Sequence, residues 1–207
     1  MHALTDDDAL MRAFAHGDAR AFERLYERHH GALYRFVRRL LGREAATQCD
    51  EVFQDTWLRV VRSRERWSPQ GATFRTWLFT LAHHRAIDVL RRSGREVSIG
   101  GQEDDAQPWQ PAPDGEAWRD WPAAAAGDVE DRAFWRAAGR RLLDCLDTLP
   151  AAQRSAFLLH HEDGLALPEL ARALEVGFET AKSRLRYAMA KLRACMGAFL
   201  PAGQGNA

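Results

Sequence analysis

The side chains able to do chemistry in this sequence are of two kinds. The first is a set of paired histidines: His29-His30, His83-His84 and His160-His161, the last followed by Glu162-Asp163. Such residues ligate metals, but adjacent positions on a helix project about 100° apart, so one ion cannot readily take both. His161 and Asp163 fall where surface positions are expected. The sequence has no HExxH, no glycine-rich phosphate loop and no GxSxG. No catalytic residue, metal or cofactor is expected, and the chain is not expected to be an enzyme. The second kind binds rather than reacts. Thr180, Lys182, Ser183, Arg184, Arg186, Tyr187 and Lys191 lie close together near the C-terminus. Lysine and arginine neutralise phosphates and can read guanine edges, while hydroxyls bond phosphates or bases.

Positioning that cluster requires two short helices and a tight turn. Leu170, Ala171 and Leu174 share the inner face of one helix, Val176 plugs the turn, and Leu185, Met189 and Leu192 anchor the next. This is the pattern of a DNA-binding helix-turn-helix, which places its second helix in the major groove. Upstream, Phe134, Ala138, Leu142, Leu146 and Leu149 form a helical stripe ended by Pro150, and residues 152–160 form a short helix ended by Gly164.

The first 92 residues are also helical in pattern. Residues 21–41 carry apolar side chains at three- and four-residue spacing and stop at Gly42. A second helix is expected over about 45–64, with Val52 and Thr56 inward and Gln54 and Asp55 outward. After the turn residues Ser68-Pro69-Gln70-Gly71, a third is expected from Thr73 to Arg92. Residues 93–130 break the pattern. They hold many glycines, prolines and acids, and read as an acidic, mostly unstructured linker, although Trp109, Trp118 and Trp121 suggest that parts of it dock. The expected fold is therefore all-α: two small helical domains, at 9–92 and 131–196, joined by a flexible acidic linker at 93–130, the C-terminal one a helix-turn-helix.

The net charge of zero conceals this segregation, with 29 basic and 29 acidic residues in a chain of 207. No apolar run approaches the roughly 20 residues that span a bilayer, and Met1 to Asp8 does not read as a secretory signal. Cys49, Cys145 and Cys195 are odd in number, far apart and without a CxxC, so neither a disulfide frame nor a zinc ribbon is expected. They read as small core residues in a reducing cytoplasm.

Two blocks, in order, resemble one family. Gly164 to Leu174, Val176, and Thr180-Ala181-Lys182-Ser183-Arg184-Leu185 look like the promoter-recognition helix-turn-helix of extracytoplasmic-function sigma factors of the sigma-70 family. Leu149 to Leu159 is similar to the family's approach to it. Asp50 to Val60 is similar to its polymerase-docking helix, and Phe74 to Phe79 with Ala86 to Arg92 resembles its helix for the promoter element just upstream of the start. The sequence departs from the family at four places: Ala166 stands where a capping Ser or Thr is usual, Glu175 where Gly is frequent, Phe178-Glu179 where Pro and Gly are frequent, and His84 where Asn is frequent.

The resemblance implies that Asp50, Glu51, Phe53, Gln54, Asp55 and Trp57 dock on the clamp helices of the largest subunit of core RNA polymerase, with the C-terminal domain on its flap. It implies that Trp67, Phe74, Trp77, His84, Arg85, Arg91 and Arg92 act at the melted −10 element. Aromatics stack on unpaired bases and arginines grip the backbone. Arg85, Arg91 and Arg92 are expected on the surface, because arginines are rarely buried. The loop from Ser68 to Thr73 would be the pocket for a flipped base. At the −35 element Thr180, Lys182, Ser183 and Arg186 would lie nearest the bases, with Arg184 and Lys191 on phosphates or solvent. Promoter DNA, core polymerase and an anti-sigma factor are the implied partners, without membrane insertion. The alternative is a stand-alone helix-turn-helix regulator that works without polymerase.

Overall fold

In the computed structural model the described residues are 6–43, 45–68, 72–93 and 129–199. Among them there are eight α-helices and no strand. The first four form one bundle: α1 (Asp6–Ala15), α2 (Ala19–Leu41), α3 (Cys49–Ser63) and α4 (Phe74–Arg92). Asp18 caps α2 by accepting from the backbone N–H groups of Arg20 and Ala21 at 3.0 and 3.3 Å. Gly42, at φ 69°, ends it. The α2 stripe buries Leu25, Leu33, Phe36, Val37 and Leu40 against Val52, Trp57 and Val60 of α3 and Phe74, Leu78 and Phe79 of α4. Phe36 and Phe79 meet edge to face at 5.1 Å. As the period indicates, Val52 and Thr56 face inward and Gln54 outward, while Asp55 is half-buried.

The N-terminal helix α1, not separated from α2 by the sequence pattern, has a specific task. The buried Asp8 carboxylate accepts from the Phe74 N–H at 2.8 Å. Thr73 caps the same helix end by accepting from Thr76 N–H at 3.2 Å. Two acceptors thus satisfy two of the unpaired donors that open α4.

The second bundle comprises α5 (Val129–Asp147), α6 (Ala151–Glu162), α7 (Leu167–Ala173) and α8 (Phe178–Met196). Leu158, Leu159, Leu165, Leu170, Ala181, Ala188 and Leu192 make its core. Leu185 and Met189 are only half-buried, and the small Ala181 and Ala188 are fully buried. Ala166 offers no side-chain cap to α7. Instead Glu169 reaches back to accept from the Ala166 N–H at 3.0 Å. The turn before α8 places Glu175 at φ 54°, the left-handed conformation for which glycine is usually selected.

Three expectations are corrected here. Cys145 and Cys195 form a disulfide, with Cα atoms 5.9 Å apart, that ties α5 to α8. A sequence separation of 50 hid their proximity; the fold back of α8 along α5 creates it. Cys49 is the buried free thiol, its pKa raised mainly by burial. In α5, Cys145 belongs to the buried stripe and Phe134, expected there, is 44% exposed. Asp163, expected at the surface, has a fully covered side chain, because Arg75 of α4 packs on it.

The two bundles touch. Helices α2 and α4 meet α5, α6 and α7, and the buried side chains of both bundles form a continuous apolar cluster. The acidic linker expected over 93–130, with its three tryptophans, lies outside the described residues except for Ser93, Val129 and Glu130.

Candidate nucleic-acid and protein interfaces

One surface is built on α3. Asp50, Glu51 and Gln54 are exposed on its outer face, and Asp55 is half-buried beside them. Beneath them lies an aromatic floor. Phe53 packs on Tyr34 at 5.4 Å and Tyr26 at 6.3 Å, and Trp57 lies 5.0 Å from Tyr26 and 5.8 Å from Phe22. Trp57 is itself buried, so it supports the patch from inside. The Tyr34 hydroxyl donates to Asp50 at 3.0 Å and fixes that carboxylate. Tyr26 and Leu58 remain 38% and 49% exposed, which gives the patch apolar contact area next to its charge. Tyr26, Tyr34 and Leu58 were not among the expected site residues. The two tyrosines sit eight positions apart in the α2 stripe, the only positions there that add a hydroxyl to an aromatic ring, a signal that could have singled them out.

Arg85 is bound into the same patch. It is buried, and its guanidinium meets Asp55 at 2.6 Å and Glu51 at 2.9 Å. This departs from the expected surface position: α4 turns that residue toward α3, and the two carboxylates offset its desolvation. Its positive charge is committed to ordering the acidic face.

A second surface lies along α4. Phe74 is fully buried, flanked by half-buried Trp67 and Trp77 at 6.3 and 5.9 Å, and these two rings are 6.5 Å apart. The neighbouring loop, expected to receive a flipped base, includes residues 69–71, which lie outside the described residues. Arg91 and Arg92 are exposed at the C-terminal end of α4. His84 Nε2 lies 3.1 Å from the Ala173 carbonyl of α7. Its neighbour His83 is buried, and its pKa is lowered to about 3, first by desolvation and then by the nearby His84, Arg184 and Arg91.

The third surface is α8. Lys182 and Lys191 are exposed, and Thr180, Ser183, Arg184 and Arg186 are half-buried. Ser183 Oγ donates to the Thr180 carbonyl at 3.0 Å, and the Arg186 guanidinium lies over Tyr187 at 4.7 Å. Glu179 reaches Lys182 at 3.7 Å, so one acid at the helix start offsets part of the basic face. Arg184 turns toward α4, where desolvation lowers its pKa. It lines a cavity of about 250 Å³ together with His83, His84, Asp88 and Arg91. Among the described residues no group of His, Cys, Asp and Glu is arranged to hold a metal ion, and no helix is long and apolar enough to cross a membrane.

The tertiary structure thus gathers the expected residues into an acidic, aromatic-floored patch on α3 and a polar and basic set on α4 and α8. Comparison with known proteins follows the two bundles. The family model for sigma-70 region 2 matches residues 25–96, and that for sigma-70 region 4 matches residues 139–192. The ECF RNA polymerase sigma factor SigK of Mycobacterium sp. (strain KMS) is 32% identical over 93% of this chain and 92% of its own length. The protein of the same name from Mycobacterium bovis (strain BCG / Pasteur 1173P2) is 33% identical over 93% of this chain and 94% of its own. Among solved structures, CnrH in complex with the cytosolic domain of CnrY is similar at a TM-score of 0.60, with 25% identity over 93% of this chain and 99% of that one. The sigma factor RpoE from Bartonella quintana, solved with the anti-sigma factor NepR, shares the fold at a TM-score of 0.57 and 20% identity, over 85% of this chain and 96% of its own. With both bundles matched in order and full-length relatives above 30% identity, the chain belongs to the ECF RNA polymerase sigma factors of the sigma-70 family, which direct transcription initiation.

Proposed function

We propose that this chain binds core RNA polymerase through the α3 patch and brings it to a set of promoters read by α4 and α8. The observation that supports it best is the coexistence of two chemically opposite surfaces on one chain. The acidic face of Asp50, Glu51, Gln54 and Asp55, backed by Phe53 and Trp57, suits a basic protein partner such as the clamp helices of the largest subunit. The face of Thr180, Lys182, Ser183, Arg186 and Lys191 suits a major groove and its phosphates, the −35 element in this reading. Trp67 and Trp77, with Arg91 and Arg92, would serve the melted −10 element, Phe74 supporting them from the core, and Arg85 would act by holding the docking face in shape. A stand-alone regulator has no use for the α3 patch.

In this reading residues 9–92 and 131–196 are the working domains, and 93–130 is an acidic connector that enters the polymerase's nucleic-acid channel, where carboxylates mimic RNA phosphates. The C-terminal domain meets the polymerase flap. The chain works in the cytoplasm, performs no chemistry of its own, serves as an alternative factor for a stress or envelope response, and is held in check by an anti-sigma factor. The test is run-off transcription with purified chain and bacterial core polymerase on fragmented genomic DNA of the source organism. Discrete starts sharing two upstream elements, absent with core alone, are the expected result. Failure of well-folded protein to bind core would sink the reading.

A further inference from the structure

A cavity of about 530 Å³ opens between the C-terminal half of α2 and that of α5, apart from the three surfaces above. It lies within the range of roughly 300–1,000 Å³ in which small-ligand sites fall. Its two walls follow from helical spacing. On α2, Arg35, Arg38 and Arg39 recur at intervals of three and four and share one face, and Arg43 stands just past the helix end. On α5, Arg140, Leu143, Asp144 and Asp147 repeat at the same intervals and form the other wall. The lining thus sets five arginines against two carboxylates, an excess of three positive charges.

That excess is not spent within the protein. Asp144 and Asp147 both pair with Arg43, and Arg39 reaches Glu162. Arg35, Arg38 and Arg140 are exposed and form no ion pair among the described residues. The macrodipole of α2 accounts for cations in its last turn, Arg38 and Arg39. It does not account for Arg35, more than a turn from the end, or for Arg140, which comes from the opposite wall. Like charges lining one cavity from two helices repel unless an anion joins them. Guanidinium forks match phosphate oxygens two at a time and are weakly hydrated. Forks that converge from two helices suit a chain of phosphates better than a single carboxylate. Beside them Leu143 is 44% exposed and offers an apolar ledge on which a ring could rest.

We propose that this cavity binds a small polyphosphate ligand, a di- or triphosphate chain that is free or carried by a nucleoside, with Arg35, Arg38 and Arg140 as its chief contacts. The site stands apart from the polymerase and promoter surfaces proposed above and does not depend on their assignment.

The test is isothermal titration calorimetry on the full chain at about 0.15 M NaCl, with GTP, inorganic tripolyphosphate, GMP and a short single-stranded DNA. GTP and tripolyphosphate should each bind once per chain, at least tenfold more tightly than GMP. Arg140→Gln and, separately, Arg38→Gln should weaken that binding at least tenfold, with helicity and the ligand-free thermal midpoint unchanged. Arg12→Gln, at an exposed position of α1 outside the cavity, should bind as wild type does. Saturating GTP should raise the thermal midpoint of wild type and leave that of Arg140→Gln unmoved, since a ligand of the folded chain stabilises it. GTP binding more tightly than tripolyphosphate would assign the site to nucleotides, with Leu143 under the base; equal affinity would assign it to the phosphate chain alone. GMP binding as tightly as GTP, or an equal loss in Arg12→Gln, would reduce the cavity to unspecific attraction and overturn the proposal. Binding of the DNA strand through these arginines without binding of GTP or tripolyphosphate would overturn it in favour of a nucleic-acid surface. Absence of both heat and thermal shift with every phosphate would refute it outright.

Discussion

At the scale of single residues, burial changes what a side chain can do. Arg85 illustrates this: placed between Glu51 and Asp55, it orders an acidic face instead of offering a free charge. His83 shows the same effect in a titratable group. Its folded pKa is depressed to about 3 by burial and by nearby positive groups, so the unfolded chain takes up a proton more readily than the folded one. The stability that neutral His83 provides is complete above its unfolded pKa of about 6.5 and is lost as pH falls below it. Urea unfolding between pH 7.5 and 5 should therefore show wild type losing about 2 kcal/mol more than His83→Gln, at about 1.4 kcal/mol per pH unit below 6.5. Parallel profiles for the two proteins would contradict this assignment.

Elements depend on their connections. The turn that aims α8 holds Glu175 in the left-handed region, at a cost of about 1–2 kcal/mol for a residue with a Cβ. Glycine would relieve this but lose more freedom on folding. Glu175→Gly should thus raise stability by up to about 1 kcal/mol in thermal unfolding; a clear loss would mean that the glutamate side chain contributes more than its backbone conformation costs. The Cys145–Cys195 bond closes a sequence separation of 50 residues. Loop-closure entropy for that length is about 4 kcal/mol. Dithiothreitol should lower the thermal midpoint of the wild-type chain and leave that of a Cys195→Ala variant unmoved; an equal response from both would assign the effect to something other than this bond.

For the whole molecule, the decisive balance is between exposed and covered ion pairs. The Arg43 pairs stand in solvent, where salt screens them, with a Debye length falling from about 10 Å at 0.1 M to about 3 Å at 1 M. The Arg75–Asp163 pair has its carboxylate fully covered and is screened far less. Shared apolar burial adds to it and is not weakened by salt. The radius of gyration of the free chain from small-angle scattering should therefore be unchanged between 0.1 and 1 M NaCl. Expansion across that range would show that the surface pairs, and not the covered one, hold the bundles together.

Much of this was legible in the residues themselves. Periodicities of three and four fix helices by the geometry of the backbone, so the α2, α3, α4 and α8 segments and the inward Val52 and Thr56 follow from local pattern. The basic and hydroxyl side chains of α8 are likewise read from the sequence alone. What the pattern could not contain were meetings between residues distant in the chain: Cys145 with Cys195, Asp8 with the start of α4, Arg75 with Asp163, and Tyr34 with Asp50. Each pairs groups 16 to 88 residues apart, and no local propensity encodes such a contact. The sequence by itself determined that this protein is helical and segregated in charge, with acids on one helix of its first half and basic and hydroxyl residues on the last. Only the tertiary structure decided which of those side chains are free to act, because exposure is a property of packing between elements.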